Sequence, residues 1–445
     1  MVNSTRLLET TQSVCPECLR VIHADVVERD GKVFLDKICR EHGLTSVYLW
    51  PNAEHYQWFQ TFQQPSLNPT IQTPANQGCP IDCGLCPAHK KHPTLAEIEV
   101  TLNCNQSCPV CFMAAENSTE DPSLFTIGEM LESIRKNSGI QTAVQITGGE
   151  PTLRRDLPKI ISLAYSYGFT GIEINTNGLV IGRNPDYLHQ LVKAGLSGVY
   201  LQFDGLNDEV YRKIRGRNGL LEKQEAVKAC RREGIQVVLS VTLIEGINVD
   251  QIGSILSFAL ENLDVVVGVA FQPAFTSGRF DVTSTRRLGM GDVIFELAKQ
   301  SNGLITPTDL WPLGCSHPLC SCSTLLYPDK QNTFTPITRR ITPSEYIQRS
   351  NPYSPQGSIF ADILAEMELE GSTNGHGRGL SIVIMNYMDA LTMDLARLAE
   401  CSMSVAMPDG RLIPFCAYQL TDQDGKRLYP TYGIIPLEIC DGDKK

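Results

Sequence analysis

A chain of 445 residues, 42% hydrophobic and 20% charged, has the make-up of a soluble globular protein with room for two or three cores. Its net charge of −11 argues against a nucleic-acid partner, which needs a basic face. The longest nearly apolar stretch, 265–275, falls short of the ~20 residues of a membrane span, no signal-peptide core precedes Cys15, and 16 cysteines, some of them in C-x2-C spacing, favour metal ligation over disulfides. The expectation is a cytoplasmic protein with at most peripheral membrane contact.

The first motif is Cys15-x2-Cys18, followed after a 20-residue insert by Cys39-x2-His42. Within the insert, VVERDGKVFL reads as a hairpin turning at Asp30-Gly31. Two knuckles brought together by a hairpin make a closed tetrahedral site, structural in character, that accepts Zn or Fe alike. Next, CPIDCGLCPAHKKH places Cys79, Cys83 and Cys86 in C-x3-C-x2-C spacing, and CNQSCPVC repeats it at Cys104, Cys108 and Cys111. A cubane of four irons normally takes four thiolates, so three in one loop leave an iron open for chemistry. Only the second loop ends a predicted strand and precedes Gly148-Gly149-Glu150-Pro151 at barrel spacing, so it takes the catalytic role.

Short β-branched runs at 98–102, 143–147, 171–175, 198–203, 236–243 and 265–271 read as buried parallel strands. Between them, apolar stripes such as Ile127, Met130, Leu131, Ile134 and Ile252, Ile255, Leu256, Ala259 mark amphipathic helices. Six such units support an α/β fold with a partial (β/α)6 barrel, a doubly wound sheet being the alternative. Function in these folds gathers at the carboxyl ends of strands. The rim candidates are Gly148 to Pro151, Asn175 and Asn177, Gln202 and Asp204, and Gln272 with Arg279. Glycines admit close backbone approach to a ligand, Glu150 can accept from an ammonium group, and the Asn amides can reach ribose hydroxyls or merely cap a turn. Arg215 and Arg217 are cations for a carboxylate, or a solvated helix face.

Residues 331–379, rich in Pro, Ser and Thr, are expected to be irregular, as a lid or insertion. A helix is expected around Met388, Leu391, Leu395 and Leu398, and an Asp409-Gly410 turn before the strand that holds Cys416. Cys315, Cys320 and Cys322, with Cys401 and Cys416, join Cys79, Cys83 and Cys86 to give eight thiols, the requirement of two fully ligated 4Fe-4S clusters. His317 is an alternative ligand, Cys230 a core residue and Cys440 idle.

The C-x3-C-x2-C loop followed by GGEP resembles the radical S-adenosylmethionine (SAM) superfamily. The resemblance implies a 4Fe-4S cluster on Cys104, Cys108 and Cys111, with SAM chelated at the open iron and its amino group met by residues 148–151. Reductive cleavage then gives methionine and a 5'-deoxyadenosyl radical that abstracts hydrogen. Asn175, Asn177, Gln202, Asp204 and Arg215 become candidate cofactor contacts. The family often has an aromatic residue before the last thiol; Val110 stands there, with Phe112 after it, a departure that bears on the adenine contact alone.

CREHG, CPIDCGLCPAHKKH, CNQSCPVCF, ITGGEPTLRRDL and DGRLIPFCAY, in this order, are similar to the tetraether synthase group, also labelled pterin methyltransferase-like. That likeness implies a rubredoxin-like site with one Zn or Fe, two auxiliary clusters, a reductant protein such as ferredoxin or flavodoxin, and carbon-carbon bond formation on an apolar, lipid-class substrate. A second reading is methylation of a pterin-like ring, which needs a methyl-donor position, and a third is an electron carrier without catalysis. The expected division is a rubredoxin-like module at 1–50, a linker with the auxiliary cysteine loop at 51–96, the partial barrel at 97–280 and a C-terminal auxiliary-cluster region at 281–445.

Overall fold

The computed structural model describes residues 5–65, 68–115, 121–284, 286–350, 358–369, 373 and 378–429; Cys440 lies outside them. Four antiparallel strands open the chain in sequential order: β1 (Arg6–Val14), β2 (Val21–Arg29), β3 (Lys32–Cys39) and β4 (Gly43–Trp50). Asp30 and Gly31 have φ of 50° and 74°, so the β2–β3 hairpin turns at the predicted pair. Helix α1 (Ala53–Gln60) starts at Asn52, whose side chain accepts from His55 N. Val26, Leu35, Trp50, Tyr56 and Phe59 are continuous with the main core, so the ribbon is packed onto the rest of the molecule.

The middle of the chain alternates strand and helix: β5 (Leu95–Thr101), β6 (Val110–Cys111), α2 (Leu124–Ser138), β7 (Ala143–Gly148), α3 (Leu157–Ser166), β8 (Ile172–Thr176), α4 (Leu179–Arg183) and α5 (Pro185–Lys193). There follow β9 (Gly198–Gln202), α6 (Asp208–Arg215), α7 (Leu220–Glu233), β10 (Gln236–Leu243), α8 (Ile252–Glu261) and β11 (Val266–Pro273). β5 and β7 to β11 are parallel neighbours in chain order. The period of two divides each strand. Ile98, Val100, Ile146, Ile174, Leu201 and Leu239 join the helices in the core, while Glu97, Gln145, Glu173, Tyr200 and Val238 line an internal cavity.

The remaining elements are β12 (Arg279–Phe280), α9 (Met290–Gln300), β13 (Trp311–Pro312), β14 (Ser321–Pro328), β15 (Phe334–Pro336), α10 (Pro343–Arg349) and α11 (Ser358–Leu369). Last come β16 (Leu380–Met385), α12 (Leu395–Leu398), β17 (Met403–Ala406), β18 (Leu412–Pro414) and α13 (Phe415–Tyr418). β16 adds parallel to β11 at one edge, and β17 adds parallel to β5 at the other. The six expected strands are thus the middle of eight parallel ones in a 12-stranded sheet, and no pairing among the described residues closes the ring: the barrel is partial.

Two stretches differ from expectation. Residues 331–379 contain β15, α10 and α11, with Tyr346 and Phe360 in a small core beside Phe62 and Trp311. Thr342, Pro343 and Glu345 form a capping box with Pro at its start, so the Pro and Thr that suggested a loop are helix-start signals. Only Leu395–Leu398 is helical in the stretch around Met388. There the Asp389 carboxylate accepts from Leu391 N and Thr392 N, a local bond that competes with helix, and pairs with Arg287 at 2.7 Å.

Candidate active site

The ribbon gathers its four donors at two turns. The ligand atoms of Cys15, Cys18, Cys39 and His42 all lie within 4.8 Å of one another. His42 Nδ1 is 3.4 Å from both Cys15 Sγ and Cys39 Sγ. Ligands 2.0–2.3 Å from one tetrahedral ion stand about 3.5–4 Å apart, so the set fits a single Zn or Fe. The Glu41 and His42 backbone N–H groups bring the Cys39 thiol down to about 6, the form a metal takes. His42 Nε2 lies 3.7 Å from Glu17, a partner for the ring nitrogen a metal would leave free.

Beyond β5 the chain turns through Cys104, Cys108 and Cys111, all three at the wall of a cavity of about 450 Å³ inside the barrel. Three arginines hold this loop by its backbone. Arg215 donates to Val110 O at 3.1 Å, Arg279 to Cys108 O at 3.1 Å and Ala115 O at 3.3 Å, and Arg427 to Phe112 O and Met113 O at 2.9 and 3.0 Å. β12 also pairs with β6, laying Arg279 and Phe280 along the loop. Burial pushes the Cys104 thiol up to about 12 and raises that of Cys108, whereas the Arg215 charge favours the Cys108 thiolate. Three thiols at one cavity, with guanidinium groups behind their loop, fit a cluster bound by three thiolates.

The GGEP segment docks onto that loop. Gly149 N donates to Thr101 O and Glu150 N to Asn103 O, both at 2.8 Å. A Cβ on Gly148 would stand 2.1 Å from Thr101 O, and one on Gly149 2.4 Å from Asn103 O, so the glycines let two backbones meet. Both still line the cavity. Glu150, 1% exposed, accepts from Thr152 N (3.1 Å), Thr152 Oγ1 (2.5 Å), Thr176 Oγ1 (2.7 Å) and Asn177 N (2.7 Å). Three of those bonds fall on Oε1 and one on Oε2; they tie the end of β7 to the end of β8 and leave Oε2 able to accept once more. Pro151 is buried in the 3-10 turn that follows.

Asn175, Asn177, Gln202, Arg215 and Gln272 line the cavity; Asp204 is fully buried behind it. Asp204 holds Arg215 in a bidentate pair at 2.7 and 2.9 Å, so this cation is already matched. Arg217 pairs with Glu222 at 2.7 Å near the surface. Sequence reasoning passed over Lys223. It is fully buried, donates to Asn177 O at 2.5 Å and Gln202 Oε1 at 2.6 Å, and burial lowers it to about 8.

It also passed over the cavity's interior. Glu97, Gln145 and Glu173 stand in one register row across β5, β7 and β8. Glu97 Oε2 and Asn175 Oδ1 are buried without a hydrogen-bond partner. Burial, helped by Glu99, raises Glu97 to about 8. Opposite in character, Phe112, Phe275, Tyr387 and Phe415 form an aromatic wall, with centroids 5.7 Å apart for Phe112–Phe275 and 4.6 Å for Tyr387–Phe415. Glu97 and Glu99 were readable as alternate positions of LAEIEVT; the wall comes from four separate segments and was not.

Outside the barrel, Cys79, Cys83 and Cys86 are mutual neighbours. The Cys83 thiol brings Cys79 down to about 7, and the Tyr429 hydroxyl, 3.1 Å from Cys83 N, lies beside them. After burial, Cys320 and Cys315 raise the Cys401 thiol, and Cys401 and Cys320 raise that of Cys416, which places these four together. Cys322 stands apart in the main core, and Cys230 is fully buried there, as expected. Arg397, 5% exposed, reaches Cys320 Sγ at 3.7 Å and leaves its Nε without a partner. Burial first, then Arg397, Lys91 and Lys90, lower His317 to about 3.

A model of the radical SAM superfamily matches residues 98–259, and one of the HMPTM N-terminal zinc ribbon domain matches residues 7–51. The chain is 34% identical to the 7,8-dihydro-6-hydroxymethylpterin dimethyltransferase of Methanocaldococcus jannaschii over 92% of either chain. It is 29% identical to a probable GTP 3',8-cyclase of Sulfolobus acidocaldarius over 40% of this chain and 57% of that one. Among solved structures, Streptococcus suis SuiB bound to S-adenosylmethionine gives a TM-score of 0.41 at 16% identity over 48% of each chain. No described helix is long and apolar enough to cross a membrane. Likeness along nearly the whole length agrees with the ribbon and the cysteine loop: the chain belongs to the radical SAM superfamily, as an enzyme of its pterin dimethyltransferase-like group.

Proposed function

We propose that this radical SAM enzyme abstracts hydrogen from a pterin-like ring held inside its barrel and methylates the resulting carbon, the methyl group coming from a second SAM, which leaves as S-adenosylhomocysteine, and two electrons from the reductant protein. Family membership implies a 4Fe-4S cluster and SAM, which when bound supply one-electron chemistry able to remove hydrogen from carbon. In this reading Cys104, Cys108 and Cys111 hold the cluster, and Gly148, Gly149, Asn175, Asn177 and Gln202 contact SAM. Glu150, Pro151, Asp204 and Arg215 position those groups.

One observation carries the choice of substrate. One side of the cavity is lined by the polar side chains Glu97, Gln145, Glu173 and Gln202. A ring bearing N–H and carbonyl groups can match such a wall by hydrogen bonds, whereas a hydrocarbon chain cannot. The relative from M. jannaschii, named for a pterin, supports the same choice. The aromatic wall favours the second reading, carbon-carbon joining on an apolar, lipid-class substrate.

We read the remaining thiols as two auxiliary sites of unequal ligation. Cys315, Cys320, Cys401 and Cys416 supply four, next to Arg397 and Lys91, neither of which forms an ion pair among the described residues; an anionic cluster would balance them. Cys79, Cys83 and Cys86 supply three, beside Tyr429, and Cys322 is left to the core. A reductant protein such as ferredoxin or flavodoxin would deliver electrons.

The test is anaerobic turnover with ring-deuterated 7,8-dihydro-6-hydroxymethylpterin and, separately, a perdeuterated lipid chain. Deuterium in 5'-deoxyadenosine and a methylated pterin by mass spectrometry are expected. Deuterium arriving only from the lipid would overturn the pterin reading.

A further inference from the structure

Gln202, at the end of β9, lines the cavity, and both ends of its carboxamide are gripped from outside it. Lys223 Nζ donates to Oε1 at 2.6 Å, and Nε2 donates to Asp204 Oδ2. An ammonium group can only donate and a carboxylate can only accept, so the two flanks admit one orientation of the amide and reject its 180° flip. One N–H on Nε2 and one lone pair on Oε1 remain for a ligand. The Lys223 side chain comes from α7, is fully buried above the Tyr211 ring and forms no ion pair among the described residues. Burying a cation in this way is unfavourable, and its two acceptors are what it is buried against. The second is Asn177 O, at 2.5 Å. Asn177 in turn donates from Nδ2 to Asn105 Oδ1 of the cysteine loop and from N to Glu150 Oε2, both at 2.7 Å. One ammonium group therefore joins Gln202 to the turn that carries the cysteine loop and the GGEP segment.

We infer that Lys223 is a positioning residue for SAM: it fixes the Gln202 amide in the orientation that meets the cofactor. This rests on the reading of Gln202 as a SAM contact given above. An apolar side chain at 223 would leave Oε1 of Gln202 and the Asn177 carbonyl without a donor, and the amide would rotate to find one. Lys223 does not line the cavity, so its influence on SAM passes through Gln202. That route separates positioning from packing, because a packing defect acts whether or not Gln202 is present.

The experiment is a double-mutant cycle of Lys223→Met and Gln202→Leu, read as equilibrium SAM binding to the cluster-loaded enzyme. Lys223→Met should weaken SAM binding about tenfold when Gln202 is present and by less than about twofold when Leu replaces it. Equal weakening in the two backgrounds, or none in either, overturns the role of Lys223. Gln202→Leu with SAM affinity unchanged overturns instead the reading of Gln202 as a SAM contact, and the inference falls with it. Should Lys223→Met not take up the cluster, Lys223→Gln enters the same cycle with the same expectation. Titrating only the loaded, folded fraction keeps loss of material from imitating loss of affinity.

Discussion

The ribbon and the barrel mouth both present cysteines in C-x2-C spacing, yet they are built in opposite ways. In the ribbon, four donors converge at the ends of two adjacent hairpins, all within 4.8 Å, with local backbone N–H groups readying a thiolate. At the barrel mouth three thiols depend on guanidinium groups 105, 171 and 315 residues away from the carbonyls they hold. A protein that supplies every ligand can assemble a site from local turns. One that leaves a coordination position open loses a constraint there and must fix the loop from behind.

This contrast orders the expected effects on SAM cleavage. Cys104→Ala should abolish it, reducing 5'-deoxyadenosine to background by chromatography; normal cleavage would refute the placement of the cluster. Arg215→Met should come next, because it frees Val110 O and leaves Asp204 buried without its cation, a change of about 3–5 kcal/mol. Thermal melting and SAM turnover should fall together, and unchanged turnover would mean that the loop needs no support from α6. Gly149→Ala should act more mildly. Its Cβ would meet Asn103 O at 2.4 Å, a strain of about 1–3 kcal/mol read as a several-fold loss of SAM affinity with the iron content kept. Cys15→Ala should have the smallest effect on cleavage, within about twofold, while removing the ribbon metal by elemental analysis and lowering solubility. Complete loss of cleavage in Cys15→Ala would dissolve the distinction between the two regions.

Six barrel strands and the Asp30-Gly31 hairpin were legible because each is declared locally, by β-branched runs and by a turn pair of fixed chemistry. The edge strands β16 and β17 were not, since LSIVIM and MSVA are short apolar runs whose partners lie more than 100 residues away. A helix was misread around Met388 because Asp389 redirects the backbone through its own side chain. At the site, the thiols and rim polar residues could be named from spacing and strand ends. What each touches could not. Gly148 and Gly149 meet the backbone of residues 101–103, and Arg279 and Arg427 hold carbonyls of the cysteine loop. Glu97 and Glu99 were visible in LAEIEVT all along, as two charges at alternate positions of a buried strand, but they lie away from the strand ends where functional residues are expected.

The β17–β5 pairing has a consequence for synthesis. While residues 98–280 emerge from the ribosome, the outer edge of β5 stays bare and the cysteine loop lacks Arg427, which arrives 315 residues after Phe112. The support of the thiol loop is therefore completed only by the last stretch of the chain to be translated.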